Sequence, residues 1–187
     1  SYLKRAVELT NRLLGFAREG KYEIRPVDIN QLVLRTAELF GRTKKELTIR
    51  TDFRQTTCTV EADAGQMEQV LLNLFVNAWQ AMPGGGDLYL HTENVTLDET
   101  ITAQHSVAPG RFVKLSITDT GIGMDDATRQ RIFDPFFTTK DVGKGSGQGL
   151  AIARGVIVNK HKGAFHFETE QGKGTTFIIE LTLNDTD

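Results

Sequence analysis

A chain of 187 residues, 39% hydrophobic and 25% charged, has the length and balance for one sizeable core plus an appendage. Its net charge of −2 excludes the broad basic footprint of a nucleic-acid binder, so any polyanion must be held by local groups. No run reaches the ~18 apolar residues of a membrane span, no signal peptide is visible, and the lone Cys58 cannot form an intramolecular disulfide; together these fit a reducing cytoplasm.

Tyr2, Leu3, Ala6, Val7, Leu9, Leu13, Leu14 and Phe16 recur at helical spacing, which predicts a helix over 1–19 ending near Gly20. The pattern is already running at the first residue, as expected of a piece cut from a longer chain. Its broad apolar stripe calls for a partner helix or a second subunit. Pro26, Val27 and Asp28 read as a linker, with Asp28 or Asn30 capping a helix to about Lys45. Short strands are predicted over 47–53 and 57–61, with Cys58 a buried small hydrophobe in a β-branched run. Asp63 caps a third helix to about Met82, stopped by Pro83-Gly84-Gly85-Gly86. A strand from Asp87 to about Leu97, a polar hairpin loop over 98–110, and an alternating strand from Phe112 to Thr118 follow. A short helix is predicted over 125–133 and a mobile loop over 134–148. A helix from Leu150 to Asn159 precedes a terminal strand pair, 163–169 and 174–183. Strands and helices mix without strict βαβ alternation, which predicts an α+β two-layer sandwich with helices on one face of one sheet.

The third helix places Gln66, Gln69, Asn73, Asn77 and Gln80 on one side and Met67, Leu71, Leu74, Phe75, Ala78 and Met82 on the other. A solvated face would normally carry Lys and Glu, and asparagine is a poor helix former. Either this is a polar face with incidental asparagines, or the carboxamides line a site. An amide oxygen is a neutral, hard ligand suited to Mg²⁺. Asp119-Thr-Gly121-Ile-Gly123-Met124 follows a strand, where a carboxylate can accept from an exocyclic amine and glycines admit a ligand to the backbone. Gly145-Ser146-Gly147-Gln148-Gly149-Leu150 opens a helix, a setting whose N–H groups suit phosphate oxygens. Lys140 and Lys144 flank that loop and either reach phosphates or are merely solvated. Thr175, after the Gly172-Lys173-Gly174 turn, either supports a base pocket or serves a strand. Each segment alone also fits an ordinary turn.

In this order, however, the segments resemble the catalytic and ATP-binding domain of bacterial sensor histidine kinases, which share the Bergerat fold with gyrase B, Hsp90 and MutL. Glu68 to Ala78 is similar to the N box, and Asp119 to Met124 to the first glycine box. Phe133-Asp-Pro135-Phe136-Phe137-Thr-Thr-Lys140 is similar to the phenylalanine-containing lid, and Gly145 to Ala151 and Gly172 to Thr175 to the second and third glycine boxes. The resemblance covers about residues 27–183. It implies a mixed, mostly antiparallel sheet with helices on one face, preceded by a helical stub. Leu9 to Arg18 resembles the end of the second helix of the dimerisation and phosphoacceptor domain. That implies such a piece over 1–20, a linker over 21–28 and the catalytic domain over 29–187.

The resemblance also implies roles. Asn77 would coordinate Mg²⁺, and Asn73 would contact phosphate or support the metal. Asp119 would read the adenine N6, with Gly121, Gly123 and Thr175 shaping the pocket. Phe136, Phe137, Lys140 and Lys144 would belong to the lid, with Gly145, Ser146, Gly147, Gln148, Gly149 and Leu150 at its phosphate-side hinge. Asn73, Asn77 and Lys140 would be the catalytic set. Two positions depart from the pattern: Gln80 stands where many relatives carry a basic residue, and Gln148 where leucine is common. Hydrolysing relatives carry a glutamate at the position of Asn73, and an amide cannot act as a general base. The implied reaction is therefore transfer from ATP to a histidine on the dimerisation domain of a homodimeric parent, and onward to a response regulator receiver domain. His91, His105, His161 and His166 read as structural or solvated, since none is followed by the acidic residue of an acceptor motif. A clamp-type ATPase or a non-catalytic nucleotide-binding module are the rival readings.

Overall fold

The structure, a computed structural model, describes residues 23–54, 58–99, 107–140 and 145–184. The helix expected over 1–19, the dimerisation-domain piece over 1–20, His105 and Lys144 lie outside the described residues. Strand β1 (Arg25–Asp28) leads into helix α1 (Ile29–Thr43), then β2 (Leu47–Phe53), β3 (Thr59–Ala62) and helix α2 (Ala64–Ala81). The long hairpin β4 (Gly86–Leu97) and β5 (Gly110–Asp119) follows, then the single turn α3 (Asp126–Arg129) and helix α4 (Gly149–Arg154). A π-helical segment (Gly155–Lys160) continues α4 and precedes the closing pair β6 (Ala164–Glu170) and β7 (Gly174–Thr182).

Both long helices start where a side chain satisfies an orphan amide. Asp28 accepts from the Gln31 N–H at 3.1 Å and Asp63 from the Gln66 N–H at 3.0 Å. The main sheet runs β2-β4-β5-β7-β6, with β2 parallel to β4 and every other pair antiparallel. Helices cover one face, as the mixed α+β pattern predicts. Leu88, Leu90, Leu115, Ile117 and Ile179 from the sheet pack with Met67, Leu71, Leu74 and Phe75 of α2, all nearly excluded from solvent. At roughly 25 cal/mol per Å² of apolar surface, this shared layer is the main source of stability. Phe40 and Phe75 join α1 to α2, with ring centroids 5.6 Å apart.

Three local readings differ from the structure. Pro26-Val27-Asp28, expected as a linker, is strand β1, paired antiparallel with β3 so that Pro26 faces Glu61. The two strands form a separate small sheet, so the expected single sheet is two. Proline, which cannot donate to a ladder, is tolerated on such an edge. The helix expected over 150–159 is α-helical only to Arg154 before widening into the π-helix. There His161 ends the run: its Nδ1–H donates to the Val156 carbonyl at 2.8 Å, and its Nε2 accepts the Asp63 N–H at 3.0 Å. This histidine fastens the π-segment to the start of α2, which makes it structural, as expected.

Candidate functional site

A cavity of about 570 Å³ opens between α2, the end of β5 and the two stretches Phe137–Lys140 and Gly145–Leu150, a size suited to a small ligand. The polar stripe of α2 forms one wall: Gln69, Asn73, Asn77 and Gln80 all line it, with Val76 and Ala81 between them. Four of the five stripe amides therefore face a cavity rather than bulk water, while Gln66 does not line it.

Asp119 enters from the end of β5. It is 4% exposed, and its Oδ1 accepts the Gly121 N–H at 2.9 Å. Burial pushes its carboxyl above the usual carboxylate range, against the opposing pull of the Gly121 and Thr175 backbone amides. The strand partners fix this corner. Asp119 pairs with Leu88 on one side and Thr175 on the other. Thr169 Oγ1 donates to the Gly174 carbonyl at 3.0 Å, so the Thr175 hydroxyl, also 3.0 Å from it, is the donor to Thr169. The same oxygen accepts the Met124 N–H at 3.1 Å. Gly174 has φ +113, and a Cβ there would stand 2.0 Å from the Asp119 carbonyl oxygen, so only glycine lets the third glycine turn press against this strand end.

On the other side the cavity is bounded by Phe137, Thr138, Thr139 and Lys140 and by Gly145 to Leu150. Asn73 Nδ2 donates to the Gly149 carbonyl at 3.3 Å, tying α2 to the start of α4. The Phe136 N–H donates to the Gly147 carbonyl at 2.8 Å, and Gly147 holds φ +64 with its Cα against the Phe136 backbone. Lys140 reaches across to α2: its Nζ donates to Asn77 Oδ1 at 3.2 Å and to Gln80 Oε1. Burial draws the Lys140 pKa below its ordinary value. Asp119 and Lys140 are the only acid and the only base among the described lining residues.

Of the residues expected from sequence, Asn73, Asn77, Asp119, Gly123, Phe137, Lys140, Gly145, Ser146, Gly147, Gln148, Gly149, Leu150 and Thr175 come together on this one cavity. Gly121 stands behind it and acts through its N–H on Asp119. Phe136 stands apart from them: it is 71% exposed, at φ +68, and does not line the cavity. Pairing of its N–H with Gly147 fixes its backbone, leaving the ring outside. Gln69, Ile122, Thr128, Ile132, Thr138 and Thr139 line the cavity without having been singled out. Gln69 was signalled by its place on the amide stripe; the threonines carried no periodic signal. No histidine borders the cavity among the described residues.

No group of three or more His, Cys, Asp or Glu side chains able to hold a metal occurs among the described residues. A cation would instead rest on amide oxygens. Asn77 Oδ1 fits that role, since it already accepts from a cationic group, the Lys140 ammonium.

Residues 62–185 match the family described as histidine kinase-, DNA gyrase B-, and HSP90-like ATPase. The chain is similar to the sensor kinase CckA of Brucella abortus (strain 2308), 38% identical over 95% of this chain and 19% of that protein. In structure it is similar to the catalytic domain of histidine kinase ThkA, with a TM-score of 0.71 and 27% identity over 86% of this chain and 96% of that one. ThkA also matches as solved in complex with the response regulator TrrA, at 25% identity and a TM-score of 0.71 over 96% of this chain and 48% of that one. Full-length ShkA in complex with AMPPNP gives a TM-score of 0.73 at 30% identity, over 96% of this chain and 36% of that one. The chain spans between 19% and 40% of the length of the curated relatives it matches.

Proposed function

The chain belongs to the histidine kinase-, DNA gyrase B-, and HSP90-like ATPase family, as an ATP-binding domain of the sensor kinase type, and from that premise we propose that it is a catalytic domain transferring the γ-phosphoryl group of ATP to a histidine. The acceptor lies on a dimerisation domain of the parent homodimer, which passes the group to the receiver domain of a response regulator. The setting is cytoplasmic; no helix of the described residues is long and apolar enough to cross a membrane.

One observation carries the choice of transfer over hydrolysis. Among the described residues lining the cavity, Asp119 is the only carboxylate, and Gly121 and Thr175 hold it at the sheet. The position one turn before Asn77 is an amide, Asn73, bound to Gly149. Nothing on that face of α2 can take a proton from water.

Asp119 accepts from the adenine exocyclic amine, with Thr175 and Gly123 framing the base. Asn73 keeps α2 and the Gly145–Gly149 loop together around the phosphates. Lys140 contributes its positive charge to them. Mg²⁺, held by Asn77, supplies further charge neutralisation at the phosphates when bound. The acceptor imidazole nitrogen forms a bond to the γ-phosphorus as the bond to the β–γ bridging oxygen breaks. ADP departs, and the imidazole loses its proton to solvent. Positioning and charge neutralisation supply most of the acceleration in such transfers.

The experiment adds γ-labelled ATP and Mg²⁺ to the chain, with and without a separate phosphoacceptor-helix fragment. Label appears on the fragment, and phosphate release stays low without it. Rapid release of phosphate with no acceptor present would overturn transfer in favour of hydrolysis.

A further inference from the structure

Phosphoryl transfer leaves the contact between Gln80 and Lys140 unexplained. Asn77 and Gln80 lie three residues apart on α2 and project to the same face. Between their amide oxygens sits the Lys140 ammonium, brought in by the turn that follows Phe137. Among the described residues these two neutral oxygens are its side-chain partners, and it forms no ion pair. Amide oxygens replace lost water but bring no opposing charge, so a part-buried ammonium is held by them only weakly. Its lowered pKa reports the same imbalance. An anionic phosphate oxygen entering the cavity is the stronger partner.

The residue type at 80 sets how firmly Lys140 is held. A carboxylate would trap the ammonium in an ion pair, and a cation would repel it. An apolar side chain would leave Asn77 as the sole partner. Glutamine holds the ammonium without trapping it. We infer that Gln80 is a positioning residue: with Asn77 it parks the Lys140 ammonium beside the cavity, from which an entering nucleotide's phosphates withdraw it. This rests on the nucleotide reading of the cavity. It also sets the Lys140 ammonium against Asn77 Oδ1, so a metal entering there meets a like charge until Lys140 leaves.

Two readouts test the clamp. The first is backbone hydrogen exchange at residues 138–140 in the nucleotide-free chain. Gln80→Met and Lys140→Met each speed it by about 3-fold or more, and the double variant goes no further than Lys140→Met alone. The second is ATP affinity by calorimetry without metal. Gln80→Met tightens it by about 2- to 5-fold, because one restraint on Lys140 is gone, and changes nothing in the Lys140→Met background. A side chain that merely packs would shift both backgrounds equally. That result, or unchanged exchange in both single variants, overturns the inference. If the unsubstituted chain binds no ATP with or without Mg²⁺, the nucleotide reading fails instead, and hydrogen exchange alone decides the clamp.

Discussion

The two charges that line the cavity among the described residues are held in contrary ways. Asp119 stands at the end of a central strand, flanked by paired strands, and its partners are backbone amides at Gly121 and Thr175. Lys140 stands in a turn without regular structure, and its partners are two flexible side chains of another element. Neither charge is neutralised by an opposite one among the described residues, so both are held at some cost in stability until a ligand arrives. The sheet wall is preorganised to discriminate; the opposite wall is assembled from contacts that a ligand can replace.

The comparison can be broken at its stiffest point first. Gly174→Ala puts a methyl group 2.0 Å from the Asp119 carbonyl oxygen at φ +113, and should destabilise the domain by about 3 kcal/mol through strain and displacement of β5. A denaturant melt measures this, and a shift below about 1 kcal/mol would show the sheet wall to be as pliable as the other. Asp119→Ala should weaken ATP by about 1–3 kcal/mol while leaving GTP affinity nearly unchanged, read by calorimetry. An equal loss for both nucleotides would remove the base-reading role.

Gly147→Ala tests the other wall. It meets the Phe136 backbone at φ +64, but a turn can shift, so a loss of only about 1 kcal/mol is expected in the same melt. Smaller still are the effects of the charges themselves, which carry opposite signs in pH. Asp119, its folded pKa raised by burial, binds more protons folded than unfolded, so its contribution to stability falls as pH rises from near 3.8 through the raised value. Asp119→Asn should remove this pH-dependent contribution, so that its stability relative to the unsubstituted domain rises with pH, while weakening ATP. Lys140, its folded pKa lowered by burial, binds more protons unfolded, so its contribution rises with pH through the lowered value towards 10.5. Lys140→Met should remove this pH-dependent contribution, so that its stability relative to the unsubstituted domain falls as pH rises towards 10.5. Same-signed slopes from the two variants would break the comparison.

How much of this the sequence disclosed follows the same division. Asp63 and the amide stripe from Gln69 to Gln80 were legible because capping and the 3.6-residue period are local properties. Asp119 and the glycine segments were legible because short-range turn chemistry marks them. The parallel pairing of β2 with β4 was not, because a register offset of 39 residues, from Leu47 to Gly86 and from Phe53 to Thr92, leaves no local trace. Strand β1 was missed because Pro26 reads as a break unless its edge position is known. Phe136 was grouped with Phe137 because adjacent aromatics look alike, whereas the backbone turn sends only Phe137 to the cavity. Gln80 was visible as the end of the stripe and as a departure, but not by its partner, which lies 60 residues away in a segment with no periodicity.

Under the proposed transfer reading, Asn73, fastened to the Gly149 carbonyl at 3.3 Å, would also govern time. A triphosphate lodged beside it would meet no general base on α2 among the described residues, so the bound molecule would age slowly. The interval before reaction is then set by when an acceptor arrives, not by a decay built into the pocket. Such a domain keeps no clock of its own. It holds its charge in readiness, and whatever moves the acceptor decides the moment of discharge.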